Sequence, residues 1–161
     1  MTISKKSILV LSWTTVILWM GLIFHLSAQP AAQSRELSKG VVDTVVETVE
    51  RVSPNRAERL DISRLHFLIR KNAHFFAYLI LGMLTINAVG KSGIKGAKGF
   101  ALALLICVLY AISDEIHQIY VPGRSGELRD VLIDSSGAAI GIGIYCIAGL
   151  LMRRRKVKFD L

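Results

Sequence analysis

Cysteine is scarce in this chain of 161 residues, which contains only two. Both of them, Cys107 and Cys146, lie inside long apolar stretches, and neither sits at the spacing of a metal-binding motif. The chain therefore has no disulfide framework and no cysteine-rich metal centre, and we expect both thiols to pack as apolar side chains. Internal repeats and low-complexity segments are absent as well.

Acidic residues are also few, since twelve Asp and Glu stand against twenty Lys and Arg and leave a net charge of +8. Such an excess can indicate nucleic-acid binding, but the placement of the charges argues against it. Half of the basic residues form three short clusters beside apolar blocks, and these are Lys5, Lys6, Lys91, Lys95, Lys98, Arg153, Arg154, Arg155, Lys156 and Lys158. This placement is typical of topology signals that contact anionic membrane lipids. We expect membrane lipids, and no nucleic acid, as partners.

Charge is nearly absent from four blocks that hold much of the 52% hydrophobic content, at 8–26, 73–89, 99–119 and 131–152. A helix of about 20 residues crosses the hydrocarbon core of a bilayer. The blocks predict an all-α, polytopic membrane protein: one domain over residues 1–161, built as a four-transmembrane-helix bundle. The first block is too long for a signal peptide and no A-x-A-like cleavage site follows it, so it is read as an anchor.

The three basic clusters all fall on the same side of such a bundle. The positive-inside rule makes that side cytoplasmic. We therefore expect a multi-pass plasma-membrane protein with both termini in the cytoplasm and with the 27–72 segment outside.

The extracytoplasmic segment 27–72 divides into a predicted loop and a predicted helix. SAQPAAQSRELSKG is polar and rich in small residues, so we interpret it as a loop that leaves the first span. VVDTVVETVERV, residues 41–52, places valines on one helical face and charges on the other. This short amphipathic helix is expected either on the outer membrane surface or packed as an ordinary loop helix. Ser53 and Pro54 then predict the start of another short helix.

Polar side chains gather at the outer ends of the last three predicted spans. Lys71, His74 and Tyr78 share one face of the second span through their spacing of three and four residues. Asp114, His117 and Gln118 share a face at the end of the third, with Glu115 about a quarter-turn away. Arg124, Arg129, Asp130 and Asp134 surround the start of the fourth.

Simpler roles are open for several of these residues. Polar groups near helix ends are often only interfacial, and Asp130 at the start of a helix favourably meets its dipole. Asp134 is harder to explain in that way, because a carboxylate inside a bilayer costs roughly 2.5–3.5 kcal/mol on insertion scales. We expect it to face the bundle interior and to pair with Arg124, Lys71 or His74.

Small residues mark one face of the fourth span. Gly137 and Gly141 form a GxxxG pair, which allows two helices to approach closely. The pair predicts a helix–helix contact, either within the chain or between the copies of a homo-oligomer.

Three stretches resemble the VanZ-like family of bacterial integral membrane proteins: IFHLSAQPAAQS, KNAHFFAYLILGML and YAISDEIHQIYVPGRSGELRDVLIDSSGAAIG. The similarity extends from about residue 10 to residue 150. Family members carry a basic residue and His early in the second span, Asp-Glu and Gln late in the third, and Arg, Asp and often Asn around the fourth. The positions that fit are Lys71, His74, Tyr78, Asp114, Glu115, Gln118, Arg124 and Asp130, whereas position 134 holds Asp where Asn is commoner.

The resemblance implies a plasma-membrane protein that acts near cell-envelope precursors, because the family is named after a protein linked to resistance to the glycopeptide teicoplanin. Our first hypothesis is a site that binds an envelope lipid head group or a lipid-linked cell-wall precursor. Its candidate binding residues are Lys71, His74, Tyr78, Asp114, Glu115, Gln118, Arg124, Asp130 and Asp134.

Two other classes of function stay open. One is a membrane enzyme for lipid-linked phosphates, with His74 or His117 as acid or base or with a metal held by Asp114, His117 and a residue of the second span. The other is a transporter component that uses the buried acids for proton coupling. Because two ligands on one helix are weak evidence, we expect no metal and no cofactor.

Overall fold

The computed structural model describes the backbone of residues 4–53, 55 and 60–159, and their side chains as far as Met152. Every regular element in these residues is an α-helix. The helices are α1 (Lys5–Ser27), α2 (Ala31–Val52), α3 (Ile62–Lys91), α4 (Gly96–Gln118) and α5 (Leu128–Phe159). Ser53 caps the C-terminal end of α2. Most of the short helix predicted to follow it, and the side chains of the basic cluster at 153–158, lie outside the described residues.

Four of these helices are long and apolar enough to cross a membrane: Lys5–Ser27, Ile62–Lys91, Gly96–Gln118 and Leu128–Met152. Large apolar side chains point away from the protein on their outer faces; Leu18, for example, is 69% exposed and Leu132 is 63% exposed. Such exposure would be costly in water and is favourable against lipid tails. The predicted all-α, polytopic bundle is confirmed.

The segment that follows α1 differs from its prediction. Residues 31–40, interpreted as loop from their polarity, form the first half of α2, and only residues 28–30 connect it to α1. Ala, Gln, Arg, Glu, Leu and Lys are all good helix formers, and this intrinsic preference prevails over the polar composition. The apolar face of α2 contacts α3, where Val42 is 2% exposed and Ser38 hydrogen-bonds His66 across 2.6 Å.

Helices α3 and α5 form the most intimate contact of the bundle. Gly137 and Gly141 of α5 are buried against α3, and a Cβ atom on Gly137 would lie 2.5 Å from the carbonyl oxygen of Phe75. Gly82 of α3 meets the backbone of Ala138 in the same way. The close approach predicted from GxxxG is therefore made within the chain, and association of two copies through these glycines stays a prediction.

Helix α1 is held to the bundle by hydrogen bonds that link it to α3, to α4 and to the turn between them. The Trp19 indole donates a hydrogen bond to the Ala77 carbonyl (2.9 Å), and the Tyr110 hydroxyl donates to the Met20 carbonyl (2.6 Å). Trp13 reaches Ser92 in the turn between α3 and α4. These contacts place the end of α1 beside the end of α4, so that residues near 27, 71, 118 and 124 lie at one end of the bundle.

Candidate functional site

A small polar cavity of about 60 Å³ lies at that end, enclosed by α3, α4, α5 and the loop between α4 and α5. Three of its lining residues are cations and four are carboxylates. The charged and polar lining residues are Arg70, Lys71, His74, Glu115, Gln118, Arg124, Ser125, Glu127, Asp130 and Asp134. The cavity therefore has a wall of mixed sign, in which Lys71 pairs with Glu127 and Asp130.

Lys71 is the best-paired cation of the wall. Its ammonium group contacts the Asp130 carboxylate and lies 3.8 Å from the Glu127 carboxylate, with only 13% of the side chain exposed. The Phe67 ring, one helical turn earlier, covers the ammonium at 4.8 Å from the ring centre. Asp130 is thus more than a helix cap, because it neutralises a mostly buried lysine on a neighbouring helix.

Arg124 joins three parts of the chain. Its guanidinium donates hydrogen bonds to the Gln29 carbonyl (3.0 Å), to the Gln118 side chain (3.3 Å) and to the Leu26 carbonyl (3.5 Å). Burial lowers the pKa of the guanidinium from its ordinary value, but arginine stays protonated throughout the physiological range. A guanidinium has five N–H donors, so these contacts leave two for a ligand.

Glu115 turns towards the cavity, which the sequence left uncertain. Its side chain is 7% exposed and its carboxylate accepts a hydrogen bond from the Glu127 backbone N–H at 2.5 Å. The loop between α4 and α5 folds back over α4, so a face that would otherwise meet lipid or water is covered.

Two other polar residues do not reach the cavity. The His117 ring stacks on Phe24 of α1, with ring centres 4.3 Å apart, and the Arg129 side chain is exposed outside it. The roles considered for His117, in acid–base or metal chemistry, find no support in this geometry.

A second layer of polar groups forms the floor of the cavity and continues beneath it. His74 and Asp134 face each other with their Nδ1 and Oδ2 atoms 3.8 Å apart, the third of the pairings considered for Asp134. Asp114, 2% exposed, accepts hydrogen bonds on Oδ2 from Ser27 (2.9 Å) and Gln118 (3.4 Å). One ligand atom from each of His74, Asp114 and Asp134 lies within 4.8 Å of the other two.

A model of the VanZ/LLP1 family matches residues 12–150, which is most of the chain and includes every residue of both layers. The chain belongs to the VanZ/LLP1 family. The resemblance seen in the three sequence stretches is thereby confirmed. No curated protein and no solved structure is significantly similar to it.

All nine candidate residues of this VanZ/LLP1 member occupy the same end of the bundle. Seven line the cavity, while Tyr78 and Asp114 lie in the layer beneath it. Their binding role stays a prediction. Sequence reasoning missed Phe67, Arg70 and Glu127, although the spacing of Arg70 four residues before His74 already places the two on one face of α3.

An apolar cavity of about 300 Å³ adjoins the polar one. It lies between α1, α2 and α3, and its apolar wall consists of Ile23, Leu26, Leu37, Val41, Ile69, Ala73 and Ala77. Arg70, His74 and Arg124 line both cavities. The two spaces thus meet at three residues that can bear positive charge.

Proposed function

We propose that this member of the VanZ/LLP1 family binds an amphiphile whose phosphate-bearing head group enters the polar cavity and whose apolar chain lies in the adjoining one. The shared wall of Arg70, His74 and Arg124 is the observation that supports this proposal. A lipid head group and a lipid-linked cell-wall precursor have the same chemistry at this point, an anionic phosphate joined to an apolar chain.

Arg70 is the cation best placed for the phosphate. It makes no ion pair with any residue in the part of the chain that the structure describes, in contrast to Lys71. Arg124 adds its two unused donors from the other side of the same wall. The carboxylates of Glu127 and Asp130 hold Lys71 and are suited to an amine or hydroxyl group of the ligand.

Helix α2 forms the outer wall of the apolar cavity through Leu37 and Val41. Leu37 is 63% exposed and Val41 is 53% exposed, so these side chains contact the cavity on one side and the surroundings of the protein on the other. We propose that α2 acts as a lid, over which an apolar chain enters from the membrane.

Replacing Arg70 with glutamine is expected to weaken binding of a polyprenyl monophosphate at least tenfold. A charge-assisted hydrogen bond contributes roughly 1.5–3 kcal/mol, and about 1.4 kcal/mol corresponds to a tenfold change. Binding is measured by native mass spectrometry of the purified protein from nanodiscs. The matched control is Arg64→Gln, which removes the same charge from an exposed position of the same helix.

Comparing different ligands tests whether the phosphate is recognised and which kind of lipid supplies it. A polyprenol without phosphate should bind more weakly than its monophosphate, and equal binding of the two, or equal losses in both variants, would refute the head-group site. Phosphatidylglycerol and a lipid-linked cell-wall precursor, offered in competition, distinguish the two sources of phosphate. Only a preference for the precursor would favour a link to glycopeptide resistance.

A phosphate hydrolase is the second candidate function, favoured by the position of His74 between the cavity and Asp134. A carboxylate next to an imidazole orients it and supports acid–base catalysis. Release of phosphate from the bound monophosphate, lost in His74→Ala, would make binding the first step of a reaction. Intact lipid after prolonged incubation would leave binding alone.

We propose further that the protein lies in the plasma membrane with both termini in the cytoplasm. The basic residues Lys91, Lys95 and Lys98 surround the turn between α3 and α4, at the end of the bundle opposite the polar cavity. A topology reporter fused after Gly123 should therefore be active outside the cell, and one fused after Gly93 should be active inside. The reverse pattern would place the cavity on the cytoplasmic side.

A further inference from the structure

The layer at the floor of the polar cavity contains two buried carboxylates, Asp114 and Asp134, that pair with no lysine or arginine among the described residues. Asp114 is 2% exposed and Asp134 is 3% exposed, so two ionised carboxylates would place two buried negative charges beside the His74 imidazole. Lys71 is occupied by Asp130 and Glu127, and Arg124 contacts carbonyl and amide oxygens. Buried charges in proteins are normally paired or bound to a metal.

Unused ligand atoms point to the same place. Oδ1 of Asp114 is buried and has no hydrogen-bond partner among the described residues, whereas Oδ2 is held by Ser27 and Gln118. The Tyr78 hydroxyl, on a side chain with 0% exposure, also lacks a partner among those residues. Tyr78 follows His74 by one turn of α3, and the Asp114 and Asp134 carboxylates both act electrostatically on its hydroxyl group. Buried polar atoms of this kind are rare unless water or an ion completes them.

We propose that His74, Asp114 and Asp134 bind a divalent transition-metal ion. An imidazole with two carboxylates suits Zn²⁺ or Mn²⁺ better than Mg²⁺ or Ca²⁺, which prefer oxygen ligands alone. The divalent charge cancels that of the two carboxylates. The contacts of Ser27 and Gln118 with Asp114 are the outer hydrogen bonds that hold a ligand in orientation.

The dimensions of the group are close to those of a metal site. Ligand atoms at roughly 2.0–2.2 Å from a tetrahedral ion are about 3.4 Å apart. The 3.8 Å between His74 and Asp134 is near that value, and the 4.8 Å limit for the whole group requires a closure of at most about 1.4 Å, by rotation of the carboxylates. His74 and Asp134 also line the polar cavity, which supplies an entry path and an open coordination position.

The ion is tested with the metal alone, so the result does not depend on lipid binding. Protein stripped with a chelator and dialysed against Zn²⁺ or Mn²⁺ should retain one ion per chain in elemental analysis. Asp134→Asn should weaken the affinity for the metal at least tenfold. Even residues that only hydrogen-bond to a metal ligand typically change metal affinity by about tenfold or more when they are replaced. Glu127→Gln is the control, because it removes a carboxylate of the same cavity outside the group of three.

A measurement on the wild-type protein covers the case in which Asp134→Asn does not fold. X-ray absorption at the zinc edge should show one imidazole and otherwise oxygen ligands. Sulfur ligands or several imidazoles would place the ion elsewhere and overturn the proposal. It would equally be overturned by retention of far less than one ion per chain, or by the same affinity in Asp134→Asn as in wild type.

Discussion

Replacing Lys71 with methionine should destabilise the protein by about 3–5 kcal/mol, the usual cost of removing one partner from a buried ion pair. The Lys71 and Asp130 side chains are only 13% and 17% exposed. Methionine keeps the apolar contact with Phe67, so the loss reports the charge that Asp130 then carries without a counter-ion. Unfolding in mixed micelles with increasing denaturing detergent measures the change.

Two companion variants make this prediction specific. Lys71→Met/Asp130→Leu should recover most of the stability, since it removes the stranded carboxylate together with the lysine. Lys91→Met changes the same residue type at the exposed end of the same helix, and should cost no more than about 1 kcal/mol. A double variant as unstable as Lys71→Met would show that the charge pair is not what holds α3 to α5 at this level.

Replacing Gly141 with alanine should cost about 3 kcal/mol, the upper part of the ordinary range for overpacking. A Cβ atom there would overlap the Leu79 carbonyl oxygen and lie 2.8 Å from its carbonyl carbon. Because the obstacle is backbone, it cannot move aside by changing rotamer, and α3 and α5 have to separate. The same detergent unfolding assay measures the loss, and a shifted bundle should also weaken binding at the polar cavity.

Gly143 provides the matched control on the same helix. A Cβ atom on Gly143 meets nothing within 4 Å, so Gly143→Ala should be neutral or stabilising by up to about 1 kcal/mol through the better helix propensity of alanine. Equal destabilisation by Gly141→Ala and Gly143→Ala would contradict the close contact between α3 and α5.

The glycines and α2 show where sequence reasoning reached its limits in the fold. GxxxG predicted a close contact correctly, because small residues leave room for a backbone, but the partner helix is a property of the assembled bundle. The polarity of residues 31–40 predicts a loop, whereas their helix propensity favours the helix that the structure shows. This N-terminal half of α2 lines part of the apolar cavity through Leu37.

Sequence by itself determined the spans and the depth of the polar residues. Helix rise and short turns fix how far along the bundle axis each residue lies, so Lys71, Asp114, Arg124 and Asp130 had to fall at one level. Composition also indicated a membrane protein, since four helices are long and apolar enough to cross a bilayer.

Only the tertiary structure decided which of these residues face each other. The rotation of each helix about its own axis depends on packing, here on the glycine contact of α5 with α3 and on the loop that covers Glu115. That rotation turns His74 towards Asp134 and Asp114, and turns His117 away onto Phe24. Spacing along one helix cannot specify such pairs, because they join side chains whose mutual orientation exists only after the helices have packed.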